Sequence, residues 1–350
     1  MAGNYHEELK KRNILKLRER LKELPPFLSD FFRGISEMTS ARTRDGYAYD
    51  LRIFFRYIYE ELPKFAGKTA ETFAERDLAA VTARDLEMFM EYLTYYIQSG
   101  TQTGRFNEEC GKSRKLSAVR TMFAYFYKSG AIPANPAELV DFPKRHEKVI
   151  TRLETDEVAK LLDAVESGED LTESQLKYHK FTQTRDLAMI TLLLGTGMRV
   201  SECVGLDVNH LDFDNSSVKV TRKGGSEAIL FFGGEVREAL GEYLKERMKS
   251  DALPGHESAL FLSMQKRRIT DRAVQNLVKK YAALVTKLKT ISPHKLRSTF
   301  GTSLYRETGD IYLVADVLGH ADVNTTRKHY AEMGVERRRM AAESVKLRKD

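Results

Sequence analysis

Cysteine is almost missing from this chain of 350 residues: Cys110 and Cys203 are the only two. They are too few for a disulfide framework and lack the paired spacing of a zinc site, so no structural metal is expected and a reducing compartment suits the chain. Long apolar runs are missing too. The longest uncharged apolar stretch, around residues 187–194, falls far short of the roughly 20 residues needed to cross a bilayer. Residues 1–11 are polar and charged, without the apolar centre of a secretory signal. No membrane partner is expected, and the predicted location is the cytoplasm, or the nucleus of a eukaryotic cell. Repeats and low-complexity tracts are absent. A strong charge of one sign is lacking as well: 57 Lys and Arg stand against 50 Asp and Glu, a net +7. That balance suggests a polyanionic partner, and a soluble enzyme that happens to be basic explains it equally well.

What is present reads as two folded domains. Hydrophobic residues make up 42% of the chain and recur at regular spacing, which argues against disorder. Residues 1–24 form an N-terminal helical extension, with Leu9, Ile14, Leu17, Leu21 and Leu24 among charges, stopped at Pro25 and Pro26. Residues 25–142 read as a helical bundle. In its first long helix Tyr47, Leu51, Phe54, Phe55 and Ile58 keep a helical period, with Arg42, Arg44, Arg52 and Arg56 along it. Thr82 and Asp85 form a capping-box start for a second helix carrying Leu86, Phe89, Met90 and Leu93. A third, over residues 112–128, turns Leu116, Val119, Phe123 and Phe126 inward and leaves Lys112, Arg114, Lys115 and Arg120 outward.

Gly130, Pro133 and Pro136 end that bundle, and residues 143–152, with Lys144 in a basic run, form a linker. Residues 153–332 are predicted to be mostly helical, with one β-hairpin: residues 218–221 and 228–232 flank Lys223-Gly224-Gly225-Ser226. Helices are expected over residues 235–249, 270–287, 293–307, 311–318 and 325–331, a loop over 168–180, and a basic terminal helix over 333–350. The fold class is mainly α with a small β-sheet or hairpin.

Three segments carry chemistry. Ser292 is a good N-cap and Pro293 is preorganised for the first helical position, so His294 falls in the first turn with Arg297 three residues on, on the same face. In Gly195-Thr196-Gly197-Met198-Arg199-Val200-Ser201-Glu202 the glycines break one helix and Arg199 begins another, with Glu202 a turn away to orient its guanidinium. In Leu318-Gly319-His320 a helix ends at glycine, and Thr325-Thr326-Arg327-Lys328-His329-Tyr330 delivers a tyrosine soon after. Taken singly, each has a plain explanation as an exposed ion pair or a packing residue.

In this order and at these separations the segments resemble the tyrosine recombinases, the phage integrases and Xer proteins, over roughly residues 40–332. The resemblance implies a two-domain clamp, a core-binding helical domain followed by a mixed α/β catalytic domain. It implies a site-specific recombinase that cuts and rejoins double-stranded DNA at a crossover site through a 3′-phosphotyrosyl bond, with neither metal nor cofactor. Tyr330 would be the nucleophile, Arg199 and Arg297 the phosphate clamp, and His320 a hydrogen-bond donor to the phosphate. His294 would assist proton removal from Tyr330, Lys223 in the hairpin turn would be the general acid, and Glu202 would steady Arg199. Arg42, Arg44, Arg52, Arg114, Lys115, Arg120 and Lys144 are the candidate DNA contacts. The terminal helix would dock on a neighbouring protomer in a homotetramer on two DNA sites, alone or with a partner recombinase. A Xer-like role in chromosome dimer resolution is favoured over a phage or transposon integrase, and over a type IB topoisomerase or a non-catalytic DNA-binding regulator.

Overall fold

The computed structural model describes residues 5–97, 103–144, 146, 151–222, 224–286, 288–319 and 323. The chain divides into two compact units, Gly3–Lys148 and Val149–Asp350. Small antiparallel sheets interrupt an otherwise mainly helical chain.

In the first unit, helices α1 (Tyr5–Leu21), α2 (Leu28–Gly34), α3 (Ala41–Glu61), α4 (Ala83–Tyr92) and α5 (Glu109–Lys128) surround one aromatic core. Ser40 starts α3 by accepting a bond from the Thr43 amide at 3.1 Å. Asp85 and Thr82 exchange the reciprocal bonds of a capping box at the head of α4. Phe54 is fully buried between the rings of Phe55, Phe89 and Phe123, a burial that contributes about 2–3 kcal/mol. Helix α1 packs along α3, where Arg20 meets Asp45 at 2.7 Å and Leu17 and Leu24 join the same core.

Two features of this unit depart from expectation. A short hairpin, β1 (Tyr95–Ile97) with β2 (Gly104–Phe106), stands between α4 and α5; Tyr95 faces Phe106 across it, their ring centroids 4.6 Å apart. Lys115, expected outward, is only 4% exposed, and its Nζ donates to Asn107 at 2.6 Å. The reason is helical phase: Lys115 lies on the row that continues through Val119, Met122 and Phe126, all of them buried.

The second unit is built around α7 (Glu173–Thr196), which packs with α6 (Thr155–Ser167), α9 (Gly234–Arg247) and α11 (Pro293–Thr308) and buries Ala188 to Leu193 in its second half. Helices α8 (Val200–Val204), α10 (Asp271–Val285) and α12 (Ile311–Leu318) complete it. The predicted hairpin is part of a three-stranded antiparallel sheet ordered β3 (Leu211–Asp212), β4 (Ser217–Thr221), β5 (Glu227–Phe231), with Thr221 opposite Glu227 at the turn. The loop expected over residues 168–180 is instead mostly helix. Gly168 closes α6 in the left-handed conformation, and Thr172, in a capping box with Gln175, opens α7 at Glu173. Among the described residues no helix is long and apolar enough to cross a membrane.

Candidate active site

The site begins where α7 stops. Gly197 takes φ +61°, and its amide donates to the Leu193 carbonyl at 3.1 Å, a left-handed C-cap. A Cβ at this position would lie 2.3 Å from the Phe300 ring and 2.9 Å from Leu318, so α11 and α12 close on the end of α7 to a distance only glycine allows.

Two residues on, Arg199 is the N-cap of α8. The Glu202 carboxylate accepts from both the Arg199 backbone amide (2.7 Å) and its Nη1 (2.8 Å). One buried carboxylate, 3% exposed, thereby satisfies the helix start and aims the guanidinium. The other hand of Arg199, Nη2, reaches the Gly319 carbonyl at 3.2 Å.

Arg297 comes from the first turns of α11, where Pro293 takes the first helical position as the sequence predicts, while Ser292 holds the N-cap position without a side-chain capping bond. It is 5% exposed; Nη1 donates to the Gly197 carbonyl at 2.7 Å and Nη2 to the Leu318 carbonyl. A third guanidinium joins them, since Arg222 at the end of β4 donates from Nη2 to the Val317 carbonyl at 3.1 Å. Three arginines from three separate elements thus hold the carbonyls of 317, 318 and 319 in turn. A helix leaves its last carbonyls unpaired and partly negative, and α12 has no basic residue of its own in its last turn. A cationic cluster assembled there is suited to gripping an anion.

Arg199 and Arg297 are therefore brought to one place, with Glu202 behind Arg199. His294 lies exposed in the first turn of α11, unlike the buried Arg297, and its carbonyl accepts from Ser298 at 3.1 Å. Lys223, His320 and Tyr330 lie outside the described residues, as do residues 325–331 and 333–350. Arg222 was not among the predicted site residues. No local pattern in the sequence points to it; its place shows only in the fold, where an added Cβ at Gly319 would meet the Arg222 guanidinium at 2.2 Å.

The candidate DNA contacts sit in varied settings within the first unit. Arg42 and Lys144 are exposed. Arg44 is half-buried, Arg52 pairs with Glu23 at 2.7 Å, and Arg120 lies 4.9 Å over the Phe142 ring. Arg114 reaches into the interior to Asp50 at 2.5 Å. Asp50 is fully buried, and desolvation pushes its pKa up to about 6 despite Arg114 and Lys115. Burial in turn lowers the Lys115 ammonium, with Asp50 opposing.

Residues 151–337 match the model of the phage integrase family. Tyrosine recombinase XerC of Caldanaerobacter subterraneus subsp. tengcongensis is 31% identical over 329 residues, covering 91% of this chain and 86% of that protein. Tyrosine recombinase XerC of Pelobacter propionicus is 30% identical over 290 residues, covering 83% and 84%. In fold, the chain is similar to the XerH site-specific recombinase in a pre-cleavage complex with its difH substrate, at TM-score 0.60 and 20% identity, covering 85% of this chain and 79% of that one.

Proposed function

Because the chain belongs to the phage integrase family, the tyrosine recombinases, we propose that the arginine cluster at the end of α12 holds the DNA phosphate at which a Xer-like site-specific recombination takes place. The observation that carries this reading is the meeting of Arg199 and Arg297, 98 positions apart in sequence, on the adjacent carbonyls of Gly319 and Leu318. Guanidinium groups stay charged at any useful pH and bind phosphate through paired hydrogen bonds, so two of them neutralise the charge that builds on the non-bridging oxygens in the transition state. Arg199 keeps 35% of its side chain exposed, which leaves it open to an incoming anion.

The chemistry runs through the remaining predicted groups. The Tyr330 phenolic oxygen attacks phosphorus as its proton is drawn off with help from His294. A 3′-phosphotyrosyl ester forms while the bond to the 5′-oxygen breaks. Lys223 gives that oxygen its proton, and His320 donates a hydrogen bond to the phosphate. The ester conserves the phosphodiester linkage, so a 5′-hydroxyl from another strand reverses the step without ATP or water. Double-stranded DNA carrying a crossover site is the partner, with four protomers on two sites and resolution of chromosome dimers as the outcome. Within the chain, the helical unit ahead of residue 143 is the core-binding domain and residues 153–332 the catalytic domain.

The test is a nicked suicide substrate carrying the crossover site, scored for a protein–DNA adduct that survives SDS. Wild type forms the adduct, Tyr330→Phe forms none, and a chelator leaves the yield unchanged. Equal adduct from Tyr330→Phe would falsify the assignment.

A further inference from the structure

We propose that Arg222 is a positioning residue for this reaction, tying the β4–β5 turn to the C-terminal end of α12. Its bond to the Val317 carbonyl, 3.1 Å long, joins segments 95 positions apart in sequence. The neighbouring carbonyls, at 318 and 319, belong to Arg297 and Arg199, so Arg222 is anchored beside the two phosphate-binding groups rather than at a remote surface.

Gly319 is a second, independent sign that the site is shaped around this side chain. It takes φ +61° and ψ 51°, and a Cβ there would stand 2.2 Å from Arg222 Nη1 and 2.4 Å from its Cζ. Glycine at 319 therefore does two things, closing α12 in the left-handed conformation and leaving room for a guanidinium to lie against the backbone. Arg222 immediately precedes Lys223 in sequence, and Gly319 immediately precedes His320. A single hydrogen bond thus connects the two stretches of chain that lead into the proposed acid and the proposed phosphate donor.

An arginine that merely capped a helix would affect stability without favouring one chemical step. A positioning residue for the acid affects the departure of the 5′-oxygen and spares any leaving group that needs no proton. The inference rests on the reading of Lys223 as that acid.

Single-turnover cleavage of two DNA substrates separates these cases, one with the ordinary bridging 5′-oxygen and one with sulfur in its place. A thiolate departs unprotonated, so the sulfur substrate needs no acid. Arg222→Ala is expected to slow the oxygen substrate about 10- to 100-fold, with the sulfur substrate within about threefold of wild type on the same basis. Arg222→Lys, which can still donate one bond to Val317, recovers part of the loss. Lys223→Ala shows the same preference for sulfur. Should Arg222→Ala fail to fold, Arg222→Met is the second probe, because it keeps the aliphatic stem and removes only the donor to Val317; it should give the same oxygen-selective loss, and equal loss on both substrates counts against the proposal. Equal loss on both substrates for Arg222→Ala, or loss on neither, overturns the inference if Lys223→Ala is still rescued by sulfur. Lys223→Ala without rescue overturns the reading of the acid, and the inference with it.

Discussion

Arg297 shows how tightly the site constrains a single residue. Its two Nη atoms serve carbonyls on two different segments, Gly197 and Leu318, from a position 5% exposed to solvent. Lysine offers one compact ammonium where this geometry needs a fork, so Arg297→Lys leaves a buried acceptor unpaired as well as loosening the proposed phosphate clamp. The expected cost is about 1–3 kcal/mol of stability and at least about a tenfold fall in cleavage rate, read by thermal melting and suicide-substrate kinetics. Wild-type values for both would refute the assignment.

Asp50 gives a second prediction, in the other unit. Its folded pKa, about 6, lies above the ordinary 3.8 because burial outweighs Arg114 and Lys115. The folded state therefore holds the proton more tightly than the unfolded one, a stabilisation present below the ordinary value and lost as pH rises through about 6. Asn in place of Asp50 cannot ionise. The melting temperature of Asp50→Asn minus that of wild type should therefore climb between pH 4 and 7 and then level off; a difference that stays flat across that range would show that Asp50 is not buried as a charge. At this scale, sequence legibility followed distance along the chain. The Arg199–Glu202 pair spans three residues and could be read as a helical neighbour relation. The partners of Arg222 and Asp50 lie 95 and 64 positions away and left no local pattern.

Among elements, the junction of α7, α11 and α12 is the most sensitive to substitution. Gly197 combines a positive φ with contact distances of 2.3 and 2.9 Å to a would-be Cβ, and Leu318 is buried, 2% exposed, with the half-buried Phe300 packed against it. Gly197→Ala is expected to destabilise the protein by about 1–3 kcal/mol and to lower cleavage too, since the Gly197 carbonyl holds Arg297. Unchanged melting would mean that the junction yields easily. The bounds of α12, Ile311–Leu318, were legible because a helix-ending glycine at 319 follows its apolar residues. The start of α7 was not. Its first turns leave Leu176, Tyr178 and Phe181 exposed while burying His179 and Thr182, so hydrophobic period and burial disagree. The β1–β2 hairpin was missed for a related reason: three-residue strands are too short to show alternation.

For the molecule as a whole, the net charge of +7 is small, so DNA affinity has to come from where cations are placed more than from their number. Each lysine or arginine that neutralises a phosphate releases counterions, and the logarithm of affinity falls with the logarithm of salt in proportion to the number of such contacts. Of the predicted contacts, exposed Arg42 and Lys144 are able to act this way without giving up an ion-pair partner among the described residues, whereas Arg52 and Arg114 would have to leave Glu23 and Asp50. Alanine at Arg42 or Lys144 should lower the slope by about one each and leave the melting temperature near wild type. Lys115→Ala should do the reverse, because its ammonium is buried against Asn107 and supports Asp50. The slope should hold while thermal stability drops. Binding isotherms across a salt series, paired with melting curves, distinguish the two classes; a reduced slope for Lys115→Ala would mean that the side chain leaves its buried row to meet DNA, and that the helical phase of α5 does not hold in the complex.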